Sequence, residues 1–107
     1  LNGEALKRHT TSLNDEGVAH YERGELEEAI IAFDQATKYE QAGISVLLNS
    51  IQAKISIMER DSPDKKILGD CRSLLIRIGE IKKTDDRFTR YARLRKTYDR
   101  LCRAAAE

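Results

Sequence analysis

Apolar residues in this chain return every three or four positions in five successive runs, the period of amphipathic α-helices. The first run predicts a helix over roughly 12–23. Thr11 or Ser12 is read as its cap, with Asp15 and Glu16 in the first turn, where the helix dipole favours anions. The second, about 25–40, carries Leu26, Ala29, Ile30, Phe33 and Ala36 on one stripe behind Glu25, Glu27 and Glu28. The third, about 44–59, is apolar on two sides. Ile44, Leu47, Leu48, Ile51, Ile55 and Met58 make one stripe and Val46, Ala53 and Ile57 the other, as in a helix sandwiched between neighbours. Ser62-Pro63-Asp64 predicts the start of a fourth helix, with a capping hydroxyl and proline in the first turn. Its stripe is Ile67, Leu68, Cys71, Leu74, Leu75 and Ile78, and Gly79 stands near its end. Thr84 with Asp85 and Asp86 is read as opening a fifth helix, which carries Phe88, Tyr91, Leu94, Tyr98, Leu101 and Cys102 on one side. Few valines or threonines, six glycines and one proline leave little punctuation for β-hairpins, so the expected class is all-α.

The segment 13–36 is the most informative. It reads as two short helices joined at Gly24, with small residues (Gly17, Ala29, Ala36) where helices must approach and large ones (Leu13, Tyr21, Phe33) where they interlock. This pattern resembles a tetratricopeptide (TPR) repeat, a helical hairpin that stacks with others into a peptide-binding surface. The likeness covers a first repeat over about 10–43. The family often has tryptophan where Leu13 stands, leucine at Glu16 and tyrosine at His20, beside which Tyr21 lies. A second repeat over about 44–80 is degenerate: Leu47 and Ile51 keep the inner-helix pattern, but the turn around Asp61–Asp64 is long and Leu74 replaces a customary alanine. The resemblance implies a single domain, 1–107. It would be a right-handed stack of two antiparallel helix hairpins plus a C-terminal capping helix over 84–105.

A narrower likeness lies in the order Leu-Asn-Asp-Glu-Gly, then Leu-Leu-Asn-Ser-Ile-Gln-Ala, then Arg-Tyr-Ala-Arg-Leu. It is similar to the TPR module that follows the receiver domain in some bacterial two-component response regulators. That would make this chain an output or dimerisation module. Leu1 is no initiator methionine, which fits the expectation of a piece cut from a longer protein.

With 107 residues, 40% hydrophobic and 35% charged, the chain suits one folded domain with a modest core. No stretch approaches the roughly 20 apolar residues of a membrane span, and Leu1-Asn2-Gly3-Glu4 shows no signal pattern. Cys71 and Cys102 fall on apolar faces as buried free thiols, so the expected compartment is cytoplasmic. The net charge of +1 hides a division. Residues 1–61 hold six basic and eleven acidic side chains, a net of −5, and residues 62–107 hold thirteen and seven, a net of +6.

Catalysis finds little material. His9 and His20 are isolated, no cysteine or histidine follows a zinc spacing, and Gly69 and Gly79 form no phosphate loop. The acidic pairs Asp15/Glu16, Glu27/Glu28 and Asp85/Asp86 diverge on a helix, and Ser45, Ser56 and Cys71 have no base in a recognisable motif. The expectation is a non-enzyme with no cofactor and no metal.

In the TPR family the inner helices line a groove for an extended peptide. Carried onto this chain, that groove presents Asn14, Val18 and Tyr21 from the first helix and Asn49, Gln52 and Ser56 from the third. Amides donate and accept at once and so can satisfy a peptide backbone. The same strip is also readable as solvated, or as packed on the fifth helix. Some TPR proteins grip a C-terminal carboxylate with lysine and asparagine in the first inner helix; Asn14 and Val18 stand there instead, which argues against such a ligand. Arg93, Lys96, Arg100 and Arg103 share a basic face of the fifth helix. That face reads as solvated, as a contact for an acidic surface such as a second copy's first hairpin, or as a nucleic-acid contact. The last lacks a stacking platform, because the aromatics lie on the other side. The expected partner is a protein or peptide, with a homodimer possible and no membrane; the alternative is a dimerising or nucleic-acid-contacting adaptor that uses the basic fifth helix.

Overall fold

A computed structural model describes residues 2–106 as α1 (Gly3–Glu22), α2 (Leu26–Thr37), α3 (Ile44–Arg60), α4 (Lys65–Ile78) and α5 (Phe88–Ala106). Leu1, on which the expectation of a cut chain rests, lies outside the described residues. The chain is all-helical among those residues.

Three helix starts differ from the sequence expectation. Helix α1 begins nine residues before residue 12, because Asn2 is its cap: Asn2 Oδ1 accepts from the Ala5 amide at 2.8 Å. Thr11, read as a cap, sits inside the helix and donates its hydroxyl back to the Lys7 carbonyl at 3.0 Å. Helix α4 is capped by Asp64, whose Oδ1 accepts from the Ile67 amide at 2.9 Å, so Ser62 and Pro63 stand outside it. Thr84 to Arg87 form turns before α5. The Asp85 carboxylate accepts from the Arg87 amide and guanidinium, and the helix starts only at Phe88.

The α1–α2 link is as tight as the sequence implies. Gly24 has φ 77°, a left-handed conformation, and its amide bonds to the Tyr21 carbonyl at 3.0 Å while Glu25 N–H reaches the His20 carbonyl at 2.9 Å. Gly17 lets α2 lie against α1: a Cβ there would come within 2.4 Å of the Phe33 ring. Phe33, Ala29 and Ala36 are fully buried. Burying the phenylalanine alone contributes about 2–3 kcal/mol.

Cross-helix bonds fix the relative directions. Asn14 meets Asn49 and Tyr21 meets Ser56, both 35 residues apart, so α1 and α3 run parallel. Arg90 meets Asn49 and Arg100 meets Glu59, both 41 apart, so α5 runs parallel to α3 as well. Lys54 meets Asp34 and Arg60 meets Glu27, in the opposite sense, placing α2 antiparallel to α3. Helix α2 packs on α1 and α3, and α4 on α3 and α5. Arg77 ties the end of α4 to the Thr37 and Tyr39 carbonyls behind α2.

The main core joins Leu47, Leu48, Ile51, Ile55 and Met58 of α3 to Leu68, Cys71, Leu74, Leu75 and Ile78 of α4, closed by Leu94 and Leu101 of α5. A smaller cluster joins Ala29 and Phe33 to Ala53. Of the second stripe expected on α3 only Ala53 faces α2, because Val46 and Ile57 pack against the main core together with the first stripe. The radius of gyration is 13.8 Å, against about 13 Å for a compact chain of this length. The principal extents of 46 × 32 × 21 Å describe a slab.

Candidate functional site: a cleft between three parallel helices

The polar strip of α3 faces a cleft of about 230 Å³ between α1 and α5. All six residues expected there converge. Val18, Tyr21 and Glu22 of α1 and Asn49 and Gln52 of α3 line it over the Phe33 ring, while Asn14 and Ser56 extend the strip at either end. The convergence follows from the 35-residue register, which brings positions of equal phase on two parallel helices face to face.

These side chains bond mainly to one another. Asn49 Nδ2 donates to Asn14 Oδ1 at 2.9 Å, Gln52 Nε2 donates to the Tyr21 hydroxyl at 3.3 Å, and that hydroxyl shares a 2.9 Å hydrogen bond with Ser56 Oγ. The residue that closes the network is Arg90 of α5. Its Nε donates to Gln52 Oε1 at 3.0 Å, and Nη2 reaches Asn49 Oδ1 and Gln52 Oε1, both at 2.7 Å. The strip therefore does contact the fifth helix, through one long cation.

A guanidinium has five N–H donors. Three of these point at amide oxygens here, and the two on Nη1 have no acceptor among the described residues. No carboxylate pairs with Arg90 among those residues. Burial first, and Arg93 second, pull its pKa below the ordinary arginine value. The hydrogen bonds of this half-buried charge all go to neutral amides, and Glu22 lines the same cleft without pairing with it, so the charge is incompletely compensated at close range.

Sequence reasoning placed the amides but missed Arg90, although it lies one helical turn before Leu94 and three residues before Arg93 on the same helix. It also passed over Lys54. That side chain is 3% exposed, paired with Asp34 and donating to Ser50 Oγ at 2.9 Å. A single lysine between Ala53 and Ile55, in a run otherwise apolar or uncharged, was the available signal.

The four residues of the basic face are exposed. Arg100 is committed to Glu59 at 2.9 Å, whereas Arg93, Lys96 and Arg103 have no ion-pair partner among the described residues. Tyr91 and Tyr98 pack against the core on the other side of α5. His20 Nδ1 lies 2.8 Å from Glu25 Oε1, which also takes Arg23, so that histidine belongs to the α1–α2 turn. No helix among the described residues is long and apolar enough to cross a membrane. Cys71 is buried and Cys102 half-buried, both free.

Comparison with protein-family models, with curated proteins and with solved structures finds no match to this chain.

Proposed function

We propose that this chain is a non-catalytic recognition module of TPR-like design, and that the α1–α3–α5 cleft holds an extended segment of a partner protein. The observation that carries the reading is Arg90, a cation with two N–H groups without an acceptor among the described residues, on the wall of a cleft it shares with amides, aromatic rings and the carboxylate of Glu22, which makes no ion pair with it. The equal 35-residue offset of Asn14–Asn49 and Tyr21–Ser56 supports a repeat close to the 34-residue TPR period. The amides can meet a peptide backbone, and Arg90 favours an acidic side chain within the peptide. A single cation suits one carboxylate better than a chain terminus gripped from several sides. In this reading the module serves as an adaptor or output part of a larger signalling protein, the role implied by its likeness to response-regulator TPR modules.

An array of immobilised ten-residue peptides of varied charge tests it. The wild-type chain is expected to retain a subset rich in Asp and Glu. The Asn49→Ala/Gln52→Ala variant is expected to lose that subset while its helical circular dichroism stays unchanged. Equal retention by both proteins removes the cleft from consideration.

A further inference from the structure

Two large apolar side chains stand in solvent among the described residues, Ile31 at 60% exposure and Ile76 at 71%. They stand in opposite electrostatic settings. Ile31 projects from α2 with Glu27 and Glu28 one turn before it and Asp34 one turn after. Glu27 and Asp34 are already paired with Arg60 and Lys54, whereas Glu28 has no ion-pair partner among the described residues. Ile76 borders a shallow groove of about 430 Å³ between α4 and α5, floored by Leu75, Tyr91 and Tyr98. Arg72 and Arg95 stand beside it, with Glu80 the one acid. Arg95 is engaged with Asp99 at 3.7 Å, whereas Arg72 has no ion-pair partner among the described residues.

A lone exposed isoleucine is ordinary. Here, however, an apolar knob beside the unpaired Glu28 and an apolar groove beside the unpaired Arg72 lie on one chain, whose two parts carry −5 and +6. We propose that copies of this chain associate head to tail, Ile31 of one seated in the α4–α5 groove of the next beside Ile76, with Glu28 facing Arg72. The contact is heterologous, because each copy offers the knob on one face and the groove on another. Symmetric pairing is disfavoured by the same charges: groove against groove sets arginine on arginine, and knob against knob sets glutamate on glutamate. The total of +1 leaves little net repulsion between copies. Such a contact propagates into a chain or ring of subunits, and it leaves the α1–α3–α5 cleft unused.

Sedimentation equilibrium over a range of concentrations, at low and high salt, tests this on the intact chain. The wild type is expected to show salt-sensitive association beyond a dimer. Glu28→Arg and Arg72→Glu are each expected to weaken it at least about tenfold, and the double variant to regain most of the loss. Ile31→Asp and Ile76→Asp change exposed positions only. Each alone is expected to be monomeric, and an equimolar mixture to form a one-to-one pair that grows no further, since one knob and one groove survive. A wild type that stays monomeric to millimolar concentration overturns the proposal. So does a dimer that resists all four substitutions, or a mixture that fails to pair. Peptide capture by the cleft is measured separately on the monomeric variants, so failure of either reading is distinguishable from failure of the other.

Discussion

Helix α3 carries two polar clusters, and they are finished differently. Toward α2 and α4, the Lys54 ammonium is sealed to 3% exposure and answered by the Asp34 carboxylate and the Ser50 hydroxyl. Toward α1 and α5, Arg90 lies half-buried among the amides of Asn49 and Gln52, with two donors left over and no ion pair among the described residues, although the Glu22 carboxylate lines the same cleft. The first arrangement answers its charge within the fold, the second leaves part of that charge for something outside it. A buried charge compensated internally is a feature of stability and register. One hydrogen-bonded only to neutral dipoles at the wall of a cleft is the arrangement on which the proposed recognition role rests.

The contrast is open to attack, beginning with the wall of the cleft. Gly17→Val pushes its side chain into the Phe33 ring and dislodges α1 from α2. Urea unfolding is expected to show a loss of about 3 kcal/mol, and a loss near zero would mean that the hairpin is not tightly packed. The sealed cluster comes next. Lys54→Ala removes a packed stem and its charge pair, with an expected loss of about 2 kcal/mol, moderated because Asp34 is half-exposed. Lys54→Met keeps the volume and is expected to stay within about 1 kcal/mol of wild type. Equal losses in both variants would show that the charge itself, and not the packing, holds the helices.

Cys71 reports on the same sealed side. Burial pushes its thiol from the ordinary range up to about 12. The unfolded chain ionises this thiol near pH 9 while the folded one keeps its proton. Stability is therefore expected to be intact below pH 9 and to fall as pH rises toward 12, at up to about 1.4 kcal/mol per unit. Thermal melts at pH 8 and pH 10.5 measure this fall, and Cys71→Ala should flatten it. An equally steep decline in that variant would place the effect elsewhere. Arg90→Gln is expected to move stability least, by under about 1 kcal/mol, while lowering capture of acidic peptides about tenfold. A large stability loss with unchanged capture would move Arg90 into the class of Lys54.

What the sequence disclosed, and what it did not, follows the range of the interactions involved. The helices and their buried faces were legible because each rests on a local period, and the close approach at Gly17 because only glycine fits there. The grouping of Asn14, Val18, Tyr21, Asn49, Gln52 and Ser56 was expected only through the TPR resemblance, and it is the 35-residue offset between α1 and α3 that brings them together. Helix starts were less so. A threonine serves equally as a cap or as a hydroxyl bonded back into the helix, and only the residues before it, Asn2 in this case, settle the choice. Arg90 and Lys54 stayed hidden for a related reason. Whether an arginine or lysine faces solvent or a neighbouring helix depends on partners about 40 and 20 positions away, Asn49 and Asp34.

The most direct measurement is a titration of the isotopically labelled chain with an acidic peptide retained on the array, followed by backbone and side-chain NMR shifts. The account expects the amide side-chain signals of Asn14, Asn49 and Gln52 and the Arg90 guanidinium to shift together, with saturation lost in Arg90→Gln. Shifts gathered instead on the outer faces of α2 and α4, or a titration unaffected by Arg90→Gln, would contradict it.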